Sequence, residues 1–192
     1  MQNTQWQNIQ NGQLMYLEEF LTPDEADILY QTLMDTMPWR QESITLFGKT
    51  VAQPRLQVWF GDKAYQYSGL KLEANPMPDL IEKLCEQCSR TAGHLFNSVL
   101  INLYRDGYDS MGWHQDNEPE LGDAPVIASI SLGAERKFAL KHNNGQDKLA
   151  YQLKHGSLLI MGGDMQHYWK HALPKSRKVH HPRINLTFRH IK

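Results

Sequence analysis

From Asn97 to Arg189 the chain is a succession of short apolar segments, SVLINLY, VIASISL, RKFAL, KLAYQL, SLLIMG and RINLTFR, with no helix-length connection between consecutive ones. Turn clusters divide them, among them Arg105-Asp106-Gly107, Asn143-Asn144-Gly145 and Met161-Gly162-Gly163-Asp164. Parallel strands need a long crossover, usually helical, so this spacing argues for an antiparallel sandwich or barrel and against a βαβ sheet. Upstream the pattern changes. The stretch beginning Thr22-Pro23-Asp24-Glu25 has Thr22 as N-cap, Pro23 at the first helical position, Glu25 completing a capping box, and apolar residues at helical spacing behind them. A second amphipathic helix is expected from Pro78 to about Thr91, and Glu42 to Phe60, rich in β-formers around Phe47-Gly48, predicts a hairpin. The expected fold class is α+β and mainly β: a double-stranded β-helix, or jelly roll, with N-terminal supporting helices.

With 192 residues, 41% of them hydrophobic and 21% charged, one compact domain is expected. We divide it into an N-terminal extension (1–21), a helical support with a hairpin (22–96) and a jelly roll (97–192). No apolar run approaches the roughly 20 residues that span a bilayer, and MQNTQWQNIQNGQ lacks the basic start and apolar stretch of a secretory signal. A cytoplasmic or nuclear protein without a membrane partner, acting as a monomer, is therefore expected. Cys85 and Cys88 lack a second pair that would complete a four-cysteine zinc site and read as ordinary reduced thiols. The net charge of -1 hides an asymmetry: after Asp164 there is no acidic residue, whereas Lys170, Lys175, Arg177, Lys178, Arg183, Arg189 and Lys192 are basic. Either a positive face for phosphates or a solvated basic tail fits this split.

The sharpest local feature is Trp113-His114-Gln115-Asp116, following a strand and a glycine-containing bend. Residues two apart on an extended chain point the same way, so His114 and Asp116 can offer an imidazole nitrogen and a carboxylate oxygen to one ion. Two histidines and a carboxylate on one face of an octahedron leave three positions open, the arrangement of non-haem Fe(II) sites. Local spacing leaves the third ligand open between His167 and His171. In Arg183-Ile184-Asn185-Leu186-Thr187-Phe188-Arg189 the polar residues share one face and the apolar residues the other. Two arginines on the polar face of a core strand are costly unless an anion lies between them. A dicarboxylate meets that requirement through paired, charge-assisted hydrogen bonds.

Together these segments resemble the AlkB family of nucleic-acid dealkylases, especially its branch preferring duplex DNA. The resemblance is carried by LFGK, PR, FGD, YSGL, FNSVLINLYRDGYDSMGWHQDNE, ASISLGAERKFALKH, HGSLLIMGG, HYWKHALP and PRINLTFR, in that order from about Leu46 to Arg189. It implies an Fe(II)/2-oxoglutarate-dependent dioxygenase with iron ligands His114, Asp116 and His171, the last because it precedes Ala-Leu-Pro. Arg183 would pair with the distal carboxylate of 2-oxoglutarate, and Arg189 would help hold its chelating end. Asn102, Tyr104 and Asn185 would be further cosubstrate contacts. The implied chemistry uses O2 to hydroxylate an N-alkyl carbon, after which the alkyl group leaves as an aldehyde. The cofactor carries the hard chemistry and the protein supplies geometry.

The implied substrate is alkylated DNA, duplex or single-stranded, carrying lesions of the 1-methyladenine or 3-methylcytosine type. The target base must leave the stack to reach the metal. Phe47 would act as a finger filling the gap, Lys49 and Arg55 would sit near phosphates, and Tyr67 and Trp113, with Trp59, are candidates for the pocket wall. Asn117 stands where the branch often has an acidic residue, which makes the following Glu118 a candidate contact to the base. The competing readings are a 2-oxoglutarate oxygenase acting on RNA or protein, and a catalytically silent nucleic-acid-binding jelly roll.

Overall fold

The structure is a computed structural model that describes residues 5–46, 49–67 and 70–192, with the backbone alone at 45, 46, 65–67 and 70–72. In chain order its elements begin with β1 (Gln7–Ile9), β2 (Gly12–Leu17), α1 (Pro23–Thr36), β3 (Ser43–Leu46), β4 (Lys49–Ala52), β5 (Leu56–Gly61), β6 (Tyr65–Tyr67), β7 (Leu70–Leu72) and α2 (Asp79–Ala92). They continue with β8 (Ser98–Tyr104), β9 (Met111–His114), β10 (Ile127–Gly133), β11 (Arg136–His142), β12 (Lys148–Leu153), β13 (Ser157–Gly162), α3 (Met165–Tyr168), β14 (Trp169–Leu173) and β15 (Arg183–Arg189). A larger sheet of order β1-β2-β13-β10-β15-β8-β5 faces a smaller one of order β12-β11-β14-β9. All the strand pairs are antiparallel, giving the double-stranded β-helix.

The period-two alternation assigns each strand residue to one of two cores. On the outward face of the larger sheet, Val58, Phe60, Val99, Ile101, Ile130, Leu132, Ile184, Leu186 and Phe188 pack against α1 and α2. Between the sheets, Leu14, Trp59, Leu100, Ile127, Leu140, Leu159, Met161 and Trp169 form the second core. The helices form as their sequences require. Thr22 accepts a hydrogen bond from the Glu25 amide while the Glu25 carboxylate accepts from the Thr22 amide, closing the capping box, and α2 ends at Gly93 with a left-handed φ of 63°. Cys85 and Cys88 lie buried on α2 as free thiols. Burial, with Glu86 and Glu82 nearby, pushes Cys85 up to about 11, and burial raises Cys88 further, so neither is a reactive thiolate.

Two placements differ from the sequence reading. Residues 7–17, set apart as an extension, form β1 and β2, and β2 completes the sheet along β13 with Met15 opposite Ile160. Likewise β5 does not prolong the β3–β4 hairpin but pairs with β8 as the opposite edge strand. Among the described residues no helix is long and apolar enough to cross a membrane.

The end of the sandwich that carries the polar cavity is tied together by Arg136, which is 2% exposed and faces inward from β11. Its guanidinium donates to the carbonyls of Asp106 (3.0 Å), Asp109 (2.9 Å) and Pro174 (2.8 Å), joining the loop after β8 to the end of β14. The same two loops meet at Gly107, whose amide donates to the Val179 carbonyl and whose carbonyl accepts from Ser176. A Cβ at that position would stand 1.9 Å from the Ser176 oxygen, so only glycine permits this approach. Arg136→Met should leave three carbonyls without their donor and cost about 3 kcal/mol, measured as a lower urea midpoint at unchanged slope. A midpoint equal to that of the unaltered protein would show that the loops hold themselves.

Candidate active site

β15 lies between β8 and β10, and its register sets one polar row after another. Arg183 stands opposite Tyr104, Asn185 opposite Asn102 and Ser131, and Thr187 opposite Leu100 and Ser129. Cross-strand partners project to the same side, so these residues line one cavity between the sheets. The smaller sheet closes it. His171 on β14 pairs with His114 on β9, their ring centroids 4.1 Å apart, and Asp116 follows in the loop beyond β9.

The candidate ligand atoms of His114, Asp116 and His171 lie within 4.8 Å of one another. His114 Nδ1 donates to the Gly112 carbonyl at 2.8 Å, which leaves Nε2, 3.7 Å from Asp116 Oδ1, with a free lone pair. Asp116 is 1% exposed; its Oδ2 accepts from Arg189 Nη2 at 2.7 Å and Nε at 3.2 Å, while Oδ1 is buried without a hydrogen-bond partner. Burial alone would raise the Asp116 carboxyl, but Arg189, His171 and His114 hold it at about 2. Burial pushes His171 down to about 3, with His114 adding to the effect, and burial also lowers His114. Two neutral imidazoles and one ionised carboxylate with an uncommitted oxygen are the donor set that suits a divalent cation, Fe(II) among them, with positions left open.

The opposite wall is cationic. Arg183 is 2% exposed, donates from Nη2 to Ser131 Oγ at 2.8 Å and lies 5.4 Å over the Tyr104 ring. Its Nε is buried without a hydrogen-bond partner, and among the described residues no carboxylate pairs with it. Burial pushes this guanidinium down to about 10. Asn185 Nδ2 donates to Ser129 Oγ (2.7 Å) and its Oδ1 accepts from Thr187, so the row is held rigid.

The structure thus brings together His114, Asp116, His171, Asn102, Tyr104, Arg183, Asn185 and Arg189. His167 is elsewhere: exposed on α3, its Nε2 bonds the Asp123 carbonyl. Three expectations on substrate contacts change. Arg55 is not on a phosphate-facing surface; it is 4% exposed inside the cavity, and its Nε donates to Asn102 Oδ1 at 2.9 Å. Trp113 is 47% exposed on the outside of β9 and does not line the cavity, because His114 faces inward and its neighbour on an extended strand faces the other way. Glu118 is half-buried at the start of a short 3-10 turn, Pro119–Leu121, and does not line the cavity either. Trp59 belongs to the core between the sheets. Tyr67 ends β6, described by its backbone, and Phe47 lies outside the described residues.

Sequence reasoning missed Gln166. This buried α3 residue accepts from the Asp116 amide through Oε1 (3.0 Å), and its carbonyl accepts from Gln115 Nε2 (3.0 Å). It ties the Asp116 loop to the segment leading into the His171 strand. A four-residue helix leaves no periodicity from which this could be read. Sequence reasoning also missed Ser129 and Ser131, although the alternation of small polar with apolar residues in IASISLG is a signal that could have found them.

Comparison with known proteins gives consistent findings. The profile of the 2OG-Fe(II) oxygenase superfamily matches residues 13–189. Alpha-ketoglutarate-dependent dioxygenase alkB homolog 3 of Bos taurus is 41% identical over 182 residues, covering 90% of this chain and 64% of that protein. The chain therefore spans under two thirds of that relative's length. DNA oxidative demethylase ALKBH2 of Homo sapiens is 38% identical over 180 residues, covering 87% of this chain and 69% of the relative. The solved structure of OsALKBH1 shares the fold, with a TM-score of 0.67 at 18% identity, covering 97% of this chain and 100% of that one.

One equivalent of a divalent cation should bind, measured with Co(II) by its visible spectrum. His171→Ala and Asp116→Ala should weaken binding by more than about tenfold, and His167→Ala should leave it unchanged. Loss in His167→Ala with retention in His171→Ala would overturn the ligand assignment.

Proposed function

Since the chain belongs to the 2OG-Fe(II) oxygenase superfamily and, within it, to the AlkB family, we propose that it oxidatively dealkylates N-alkylated bases in DNA with Fe(II), 2-oxoglutarate and O2. The observation that carries this reading is the charge of the cavity. Among the described residues Arg55, Arg183 and Arg189 line it against the single carboxylate of Asp116. Buried charge of one sign is costly without a counter-ion, and the excess of two positive charges, which rises to four with a divalent metal in place, calls for an anionic ligand such as a dicarboxylate. A small apolar substrate would leave it unbalanced.

In this reading His114, Asp116 and His171 hold the iron, which when bound supplies the O2 chemistry that oxidises the N-alkyl carbon. Arg183 receives the distal carboxylate of 2-oxoglutarate in a bidentate pair, in front of Tyr104. Arg189 keeps Asp116 ionised and occupies its Oδ2, so that Oδ1 would be free to hold the metal, while Asn102 and Asn185 fix the polar floor. Met111, Phe138 and Leu173 supply apolar wall on the smaller-sheet side, which limits water around the reacting carbon. The N-alkylated base must leave its stack to enter, a step made easier where alkylation spoils pairing, as in 1-methyladenine and 3-methylcytosine. A DNA substrate requires the protein to work where DNA is, in the cytoplasm or nucleus, and in this reading it acts there as a monomer.

Succinate and aldehyde release should follow addition of an oligonucleotide carrying 1-methyladenine or 3-methylcytosine, and should fall to the background rate with the unmodified one. Release unaffected by alkylation would sink the proposal. Arg183→Ala should raise the dissociation constant for 2-oxoglutarate by the equivalent of about 2–5 kcal/mol, as for other desolvated charge pairs, read by calorimetry with an inert divalent metal in place. Unchanged affinity would remove Arg183 from the cosubstrate site.

Phe47 is proposed from the sequence resemblance as a residue that fills the gap left by the target base. Phe47→Ala should then reduce repair of duplex DNA much more than repair of single strands while the melting temperature stays constant. Equal losses on both substrates would refute it.

A further inference from the structure

The outer surface of the smaller sheet carries a charge pattern that the cavity chemistry does not use. Leu140 and Phe138 face inward, so Lys137, Ala139 and Lys141 face outward from β11. The register places Lys148 and Lys170 directly opposite Lys141 from its two sides, and Ala150 and Ala172 opposite Ala139. Three lysines thus stand abreast across three strands, beside a row of three alanines that leaves the surface low and flat. Like charges directly opposite on neighbouring strands destabilise a sheet, so this row works against the fold. Among the described residues none of Lys137, Lys141, Lys148, Lys170 or Lys175 is in an ion pair. At the edge of the same face Trp113 is 47% exposed, with the Lys141 ammonium 4.2 Å from its ring centroid. Trp113 and Lys175 border a shallow depression floored by Ala139 and Ala172. The next residue after Trp113 is His114, the most exposed of the three clustered ligands, so the face runs up to the mouth of the cavity.

We propose that this face is a track for the single strand flanking the target base. Phosphates follow the Lys148–Lys141–Lys170 row, and one neighbouring base stacks on Trp113. The proposal rests on the reading that the substrate is a nucleic acid. A polyanion answers the unpaired lysine row, and a large exposed aromatic amid cations is the combination that binds an unstacked strand rather than an acidic protein segment. The flat alanine row lets the strand approach the sheet. One strand, β9, then serves both sides: His114 and Met111 turn to the cavity and Trp113 turns to the flanking base.

The test is fluorescence anisotropy of an unmodified, fluorescein-labelled single-stranded 20-mer across a salt series, with the full chain. The triple variant Lys141→Ala, Lys148→Ala, Lys170→Ala should bind at least tenfold more weakly. Its log–log salt slope should be shallower by about 2, from three phosphate contacts at about 0.7 each. Because the variant relieves repulsion, its melting temperature should not fall. Trp113→Ala should lose on the order of tenfold in affinity and Trp113→Phe should recover most of it, since stacking needs a ring rather than an indole nitrogen. Native affinity and slope in the triple variant, with dealkylation of an alkylated 20-mer also intact, would overturn the track and leave the dealkylase reading standing. Lysine-dependent binding in a protein that releases no aldehyde from any alkylated oligonucleotide would support the track and overturn the dealkylase reading instead.

Discussion

Everything at the candidate site depends on one buried ion pair, Asp116 with Arg189. The carboxylate is 1% exposed and the guanidinium 3%, so neither could remain charged there alone. Two hydrogen bonds from Arg189 to Oδ2 neutralise the pair and fix its orientation, leaving Oδ1 bare toward His114 and His171. The pair also joins two parts of the chain far apart in sequence, the end of β15 and the loop after β9. Gln166 adds the third tie, from α3 to the backbone of Asp116. The two histidines arrive by sheet register, but the carboxylate arrives on a loop, and loops need such anchors to hold an atom in place.

The rest of the interior is arranged so that this polarity is affordable. The face of the larger sheet that meets the helices is apolar, so the helices cover it without touching the cavity. The inner face is divided: Leu14, Ile127, Leu159 and Met161 fill the half nearer β2 and β13, and the arginines, asparagines and serines gather around β8, β15 and the near side of β10. Arg136 marks the boundary at the cavity end. It donates its hydrogen bonds to backbone carbonyls and not to a carboxylate, so it closes the loops without bringing in an anion that would compete for Arg183.

What could be read in advance follows from where the determining interactions lie. Strands β8, β10, β11, β12, β13 and β15 announce themselves because each alternates or runs apolar over six or seven residues, and the α1 boundary is written in the capping box. The clustering of Arg183 and Arg189 was legible as two cations on one face of a core strand. β14 was not: Trp169-Lys170-His171-Ala172-Leu173 is short, and its membership of a sheet is decided by partners on β9 and β11. For the same reason spacing could not choose between His167 and His171, four residues apart, one on a helical turn and one on a strand. The AlkB resemblance favoured His171, and the register brings that residue to His114. Residues 7–17 were opaque because an edge strand is defined by the neighbour it joins. Arg55 misled because an arginine beside a hairpin is usually solvated, and its burial depends on the Asn102 oxygen that β8 presents to it.

The placement of Met111 shows how one residue of local irregularity decides which side of a sheet a strand can serve. On β14 His171 and Leu173 are two apart, yet their partners on β9, His114 and Met111, are three apart, so β9 holds one extra residue between the two pairs. A regular strand with His114 facing the cavity would have turned Gly112 inward and Met111 outward, opening the apolar wall at that point. The extra residue restores Met111 to the wall and leaves Gly112 and Trp113 together on the outside, where a Cβ at Gly112 would meet nothing within 4 Å. The bulge therefore gives the cavity a second contact, Met111, beside His114 from one edge strand, while Trp113 stays on the outer face by ordinary alternation. Strict alternation, on which the sequence reading of His114 and Asp116 relied, could not have turned both Met111 and His114 to the cavity.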